Sequence, residues 1–113
     1  MISKSKGRNT EQRENMRSGN GTVSLTALFS NGLPPKCRMA SIITLEKGCS
    51  IGAHQHQGEC EIFYVLSGVA RYNDNGVFHL LEQGDATMVY NASHAVEGVS
   101  DEPCQLLALI VLD

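Results

Sequence analysis

The chain has 113 residues, of which 42% are hydrophobic, and its formal net charge at pH 7 is −3. This length accommodates one hydrophobic core and one domain. No apolar run is long enough to cross a bilayer, and the acidic balance disfavours nucleic-acid binding, which needs a surplus of basic residues. The polar N-terminus lacks the apolar core of a signal peptide, so the expected location is the cytoplasm.

Residues 1–20 form a polar leading segment in which basic residues alternate with glutamates. Its basic residues are Lys4, Lys6, Arg8, Arg13 and Arg17. We expect this segment either to be disordered or to be ordered by crossing over to a second subunit. Residues 21–113 are predicted to form the folded domain.

Short apolar segments then recur along the chain, separated by clusters of turn-forming residues. Asn75-Gly76 is a strong signal for a two-residue hairpin. Many short strands punctuated in this way predict an all-β sandwich or barrel, and no amphipathic helix of convincing length is present. The segments are TVSLTALF, CRMASIITL, EIFYVL, VARY, VFHLL, ATMVY, HAVEGV and CQLLALIVL.

The middle of the chain combines two histidines and a glutamate at a spacing typical of metal ligands. His54 and His56 are two positions apart, so on a strand their imidazoles project from one face. Glu61 follows five positions later, which is the wrong parity for an unbroken strand. Gly58 lies in a polar break between them and can adopt unusual dihedral angles, so a new strand can begin at Glu61.

A further ligand is expected from one of the two remaining histidines. His94 follows a predicted strand and a small polar loop at residues 91–93, from which its side chain can return to the barrel mouth. His79 lies between Phe78 and Leu80, and it points to solvent if those two residues face the core. We therefore predict His94 as the fourth ligand and His79 as a surface residue.

The predicted ligand set suits a transition metal, although a purely structural role for the histidines is an alternative. Imidazole nitrogens and a carboxylate oxygen bind Mn, Fe, Co, Ni, Cu or Zn, so we expect one divalent ion of open identity. Two histidines near a glutamate also occur by chance, as hydrogen-bonding core residues. The flanking glycines and the later His94 favour the metal site.

The spacing resembles the first motif of the cupin superfamily, which runs glycine, five residues, His-x-His, three or four residues, glutamate, six residues, glycine. Every fixed position is matched, by Gly48, His54, His56, Glu61 and Gly68. The resemblance covers roughly residues 36–112 and extends toward small one-domain cupins that look like relatives of oxalate decarboxylase. It implies a single jelly-roll barrel, a small-molecule ligand and a homodimer.

The second cupin motif is matched less closely. Gly84 and His94 agree with it in kind, but the gap between them is one residue short. Tyr90 stands near the position of the motif proline, and Gly98 stands where the motif has asparagine. His94 is still the predicted ligand, but the second motif does not define its exact position.

Two classes of function follow from this resemblance. The first is a metal-dependent enzyme that acts on a small oxygen-rich carboxylate or sugar-derived acid by decarboxylation, isomerisation or oxygenation. Oxalate decarboxylases of this type carry an arginine three residues before the first motif histidine, where this chain has Ile51. The second class is a non-catalytic metabolite-binding or sensor cupin, because the motif residues include no general acid or base apart from the ligands.

Other residues are expected around the pocket. Strand alternation from Glu61 places Phe63 and Val65 inward, and Arg38, Tyr72 and Tyr90 are candidates for polar groups beside the ligands.

The four cysteines form no C-x-x-C pair, so free thiols are expected in a cytosolic chain. Cys60 faces away from Glu61 on a regular strand, which argues against thiolate ligation.

Overall fold

The computed structural model describes all 113 residues and contains eight strands in one antiparallel sheet. The all-β prediction is confirmed, and the only helical element is a short 3₁₀ turn at Met16–Ser18. The spatial order of the strands is β1-β2-β3-β8-β4-β7-β5-β6. Their bounds are β1 Thr10–Glu14, β2 Thr22–Ala27, β3 Cys37–Leu45, β4 Ser50–Ser67, β5 Ala70–Asp74, β6 Val77–Leu81, β7 Ala86–Gly98 and β8 Cys104–Leu112.

Strand β4 organises the barrel because its 18 residues pair with β7 on one side and β8 on the other. Its inward residues in the second half include Phe63 and Val65, which are 2% and 0% exposed, as alternation predicts. They pack in a core cluster with Ile43 of β3, Val23 of β2 and Leu106 of the neighbouring β8. Burial of these side chains is the main force that closes the sheet.

The break predicted between His56 and Glu61 is a bulge within one continuous strand. Gly58 adopts φ +68°, as its position in the polar break predicts, but β4 runs through it without ending. The pairing with β7 shifts register between His56 and Cys60. The prediction that a new strand begins at Glu61 is therefore wrong, because extra residues can be absorbed on one strand while the hydrogen-bond ladder continues.

His94 likewise lies within strand β7 and not after a loop. The predicted loop at residues 91–93 belongs to this strand, and Asn91 adopts φ +49° there. Asparagine tolerates this left-handed conformation better than most residues do. The irregularity changes which residues face inward: Val89 is buried before it and His94 is buried after it.

The leading segment contributes an edge strand to the sheet of its own chain. Strand β1 pairs with β2 in antiparallel register, and every residue of β1 is exposed. The following turn packs against the start of β4, where a Cβ added to Gly52 would lie 2.0 Å from the carbonyl oxygen of Arg17. The division at residues 20 and 21 and the exchange with a second subunit stay predictions.

No helix in the structure has the length and apolar character needed to span a membrane. All four cysteines are free thiols. Cys60 pairs across the sheet with the exposed residues Tyr90 and Val111, whereas the adjacent Glu61 is buried. Burial raises the pKa of the Cys104 thiol to about 11, so this cysteine is unreactive at neutral pH.

Candidate metal centre

The four residues predicted as metal ligands lie together inside the barrel, and their donor atoms are all within 4.8 Å of one another. The Nε2 atom of His56 is 3.1 Å from the Nε2 atoms of both His54 and His94. One carboxylate oxygen of Glu61 is 3.0 Å from Nε2 of His56 and 3.0 Å from Nε2 of His94. The cluster is buried except for His54, which is half-buried and faces the cavity.

Two register shifts in β4 bring these side chains to one face. The first, between Ile51 and His54, places His54 directly opposite His94 of β7. The second, between His56 and Cys60, corrects the parity so that Glu61 also points inward. Bulges of this kind redirect side chains without ending a strand.

The outer nitrogens of two histidines are held by acceptors on β4 itself. Nδ1 of His54 lies 2.8 Å from the carbonyl oxygen of Gly52, and Nδ1 of His56 lies 2.5 Å from the carboxylate of Glu59. A carbonyl or carboxylate oxygen can only accept, so Nδ1 carries the proton in both rings. The Nε2 lone pairs therefore face into the cluster, which is the tautomer that binds a metal.

His94 is held from a different strand. Its Nδ1 lies 2.7 Å from the hydroxyl of Tyr72 on β5, and its ring stacks on Phe63 at a centroid distance of 5.2 Å. Burial raises the pKa of Tyr72 to about 12, so the phenol stays protonated. Tyr72 was predicted as a polar group beside the ligands, and its contact with His94 bears this out.

The cluster distances fit a metal ion better than direct contacts between the side chains. Bare Nε2 atoms of His54 and His56 at 3.1 Å would bring two lone pairs together, which a central cation relieves. For bonds of about 2.1 Å, adjacent ligands at right angles are separated by about 3.0 Å, and tetrahedral ligands by about 3.4 Å. The contacts of 3.0–3.1 Å within the cluster are therefore compatible with ligation of one ion.

An ion pair extends the cluster on the His56 side. Arg38 donates two hydrogen bonds to Glu59, from Nε at 3.1 Å and from Nη2 at 2.7 Å. The Arg38 guanidinium holds the pKa of the Glu59 carboxyl below its usual value. Arg38 lies at a register shift in β3, between Cys37 and Met39. It therefore acts on the cluster through Glu59.

Sequence reasoning missed Glu59 and misplaced Tyr90. Glu59 follows the ligand histidine His56 by three residues across a glycine, and an acidic residue so close to a ligand histidine was a readable signal. The placement of Tyr90 beside the ligands is wrong: it is 51% exposed on the outer face and donates to Asp113.

His79 is exposed, as predicted, but the premise of that prediction was wrong. Phe78 and Leu80 are themselves 57% and 68% exposed, because β6 is the edge strand of the sheet. His79 pairs opposite Tyr72 and therefore lies on its face of the sheet.

Burial also acts on His54, the most accessible histidine of the cluster. It holds the pKa of His54 below the usual value, although the hydrogen bond with Gly52 opposes this effect. His54 is thus neutral, and able to bind a metal, at physiological pH.

A cavity of about 450 Å³ opens above the cluster. Its floor includes His54, His56 and Glu61, and its walls include apolar residues such as Leu25 and Ile43. The leading segment and β3 add charged and polar groups at the mouth. These groups are Asn9, Thr10, Glu11, Arg13, Arg17 and Arg38.

Comparison with known proteins agrees with this architecture. An oxalate-binding protein from Thermotoga maritima is 33% identical over 99% of this chain and 94% of its own length. The crystal structure of a predicted oxalate decarboxylase from the same organism has a TM-score of 0.94 at 33% identity, with full coverage of both chains. KdgF from a Halomonas species has a TM-score of 0.81 at 17% identity, covering 100% of this chain and 95% of its own, which indicates a shared fold.

The family model described as a cupin domain matches residues 41–110, which contain all four clustered residues. The resemblance noted in the motif spacing and the predicted jelly-roll barrel are thereby confirmed. The chain belongs to the cupin family.

Proposed function

We propose that His54, His56, Glu61 and His94 bind one divalent transition metal, and that the protein acts on a small oxygen-rich carboxylate or sugar-derived acid held at that metal. The observation that carries this proposal is the convergence of three Nε2 atoms and one carboxylate oxygen. Four pairs of these donor atoms are 3.0–3.1 Å apart, and all of them lie within 4.8 Å of one another. Mn, Fe, Co, Ni, Cu and Zn all accept this donor set.

The four ligands, the residues behind them and the cavity lining would have separate roles. Four protein ligands would leave about two positions of a six-coordinate ion open to ligand oxygens, and such an ion would supply Lewis-acid stabilisation of negative charge. Glu59 selects the tautomer of His56 that carries its proton on Nδ1, and Tyr72 orients the ring of His94 through its contact with Nδ1. Apolar residues such as Leu25 and Ile43 line part of the cavity, beside the charged and polar groups at its mouth.

Decarboxylation, isomerisation and oxygenation all fit this arrangement. The names of the Thermotoga maritima relatives, an oxalate-binding protein and a predicted oxalate decarboxylase, support a short carboxylic acid as ligand.

The alternative is a non-catalytic metabolite-binding or sensor cupin. It is favoured by the state of the acidic groups around the cavity: Glu59 is engaged with Arg38 and His56, and Glu11 is bonded to Arg13. Neither carboxylate is free to transfer a proton to or from a ligand. Turnover of oxalate or a related acid would distinguish the enzyme from the sensor.

The first test is elemental analysis of the purified full-length protein beside the His54→Ala and His79→Ala variants. We expect about one transition-metal ion per chain in the parent and in His79→Ala, and its loss in His54→Ala. His79 is the matched control because it is exposed and outside the cluster. Absence of metal from the parent even after reconstitution would overturn the proposed metal-dependent function.

We further propose that the protein is a cytoplasmic homodimer. Four free thiols suit a reducing compartment. The outer face of β4, β7 and β8 exposes a row of large apolar side chains, which a second copy of the chain would cover. These side chains include Tyr64, Met88, Tyr90 and Val111.

A further inference from the structure

Three arginines line the cavity above the cluster, and they differ in their partners. Arg38 forms a bidentate pair with Glu59. Arg13 bonds Glu11 at 2.7 Å. The side chain of Arg17 has no hydrogen bond and no ion pair, so its guanidinium is the one at the cavity that no acidic residue neutralises.

The backbone of Arg17 is fixed close to the cluster. A Cβ at Gly52 would lie 2.0 Å from the carbonyl oxygen of Arg17, and a Cβ at Gly19 would lie 2.3 Å from that of Ser50. Only glycine permits such an approach. The carbonyl oxygen of Gly52 accepts the hydrogen bond from Nδ1 of His54. The segment that carries Arg17 therefore packs against the same residue that orients His54.

The charge balance of the cavity leaves Arg17 available to an anion. The pairs Arg38–Glu59 and Arg13–Glu11 are each neutral. A divalent ion beside Glu61 would keep one unit of positive charge, and Arg17 adds a second unit. A ligand with two negative charges matches this surplus, whereas a monoanion leaves one unit unmatched.

We propose that Arg17 is the specificity-determining residue of this cavity and binds the carboxylate of the ligand that lies away from the metal cluster. This inference rests on the proposed function, in which the other end of the acid occupies the metal. Ile51 also lies on the cavity wall, but its aliphatic side chain cannot bind a carboxylate, whereas the guanidinium of Arg17 can. A planar guanidinium can hold a carboxylate with two parallel hydrogen bonds.

The test is calorimetric titration of oxalate and of acetate into the full-length protein loaded with the metal that elemental analysis identifies. Arg17→Ala is expected to weaken oxalate binding about tenfold or more, the size of one lost charge-assisted interaction. Acetate affinity should stay unchanged, because a monocarboxylate at the metal leaves nothing for Arg17 to bind. Metal content of the variant should equal that of the parent.

Two further variants separate the role of the side chain from effects on folding. Arg17→Gln keeps most of the apolar stem and should lose oxalate affinity as Arg17→Ala does, whereas Arg17→Lys keeps the charge and should recover part of it. Arg8→Ala is the matched control: it removes one positive charge from the same segment but lies outside the cavity. It should change oxalate affinity by less than about twofold.

The outcomes separate this inference from the function on which it rests. Equal loss in Arg17→Ala and Arg8→Ala, or equal loss for oxalate and acetate in Arg17→Ala, overturns the role of Arg17 and leaves the metal site standing. A metal-loaded parent that binds no oxalate also overturns the role of Arg17. A parent that takes up no metal overturns the proposed function and this inference together.

Discussion

The carboxylate of Glu59 lies 2.5 Å from Nδ1 of His56, on the side of the imidazole opposite the cluster. Glu59 also accepts two hydrogen bonds from Arg38, so a fixed ion pair stands directly behind a predicted metal ligand. A carboxylate in this position selects the ring tautomer and increases the basicity of the inner nitrogen.

Glu59→Gln is expected to weaken metal binding about 10- to 100-fold while the barrel stays folded. The amide can still accept from Nδ1 of His56, but it carries no charge and breaks the pair with Arg38. Competition with a chelator measures the affinity. Glu82→Gln, at an exposed residue outside both the cluster and the cavity, is the control, and equal affinities in the two variants would contradict the role of Glu59.

Tyr72→Phe is expected to lower metal affinity by removing the partner of Nδ1 of His94. The phenyl ring can still pack against Phe63, so the loss concerns a buried hydrogen bond, worth about 1–3 kcal/mol when one partner is left unsatisfied. Thermal unfolding with and without metal measures the effect. Tyr90→Phe removes a hydroxyl on the outer face, and it should leave metal affinity unchanged.

Metal occupancy is expected to fall as the pH drops below about 6. Imidazole binds metal only when it is neutral, and burial lowers the pKa of His54, which keeps this ring neutral to a lower pH than a free histidine. Occupancy should therefore be complete near pH 7 and decline only on the acid side. Dialysis across this range followed by elemental analysis tests it, and full occupancy at about pH 4.5 would count against a histidine site.

Gly52→Ala is expected to detach the leading segment from β4. The added methyl would lie 2.0 Å from the carbonyl oxygen of Arg17, a contact that only movement of one backbone can relieve. Trypsin should then cleave after Arg13 and Arg17 faster than in the parent. Unchanged cleavage would mean that the segment does not dock on β4 as described.

Met88→Glu is expected to convert the proposed homodimer into a monomer. Met88 is 69% exposed on the outer face, and a buried carboxylate without a partner opposes association. Light scattering after size exclusion would report about twice the chain mass for the parent and one mass for the variant. Val77→Glu, on an exposed residue of the edge strand β6, is the control. A monomeric parent would refute the dimer.

The sequence alone determined the all-β class, the cupin resemblance and the four residues of the cluster. It could do so because side-chain alternation in a strand is a local property, and His54 and His56 share a face whatever the strand pairs with. The flanking glycines and the distance to Glu61 added a pattern that needs no knowledge of the other strands.

How those residues meet, and what surrounds them, depends on contacts between strands that are distant in sequence. Register shifts opposite β7, at Ile51/His54 and at His56/Cys60, depend on pairing between strands that are distant in sequence. The same is true of Tyr72 behind His94 and of Arg17 at the cavity mouth, since each contact joins residues from separate strands or turns. Local sequence sets the direction of a side chain along its own strand, but long-range pairing sets its neighbours.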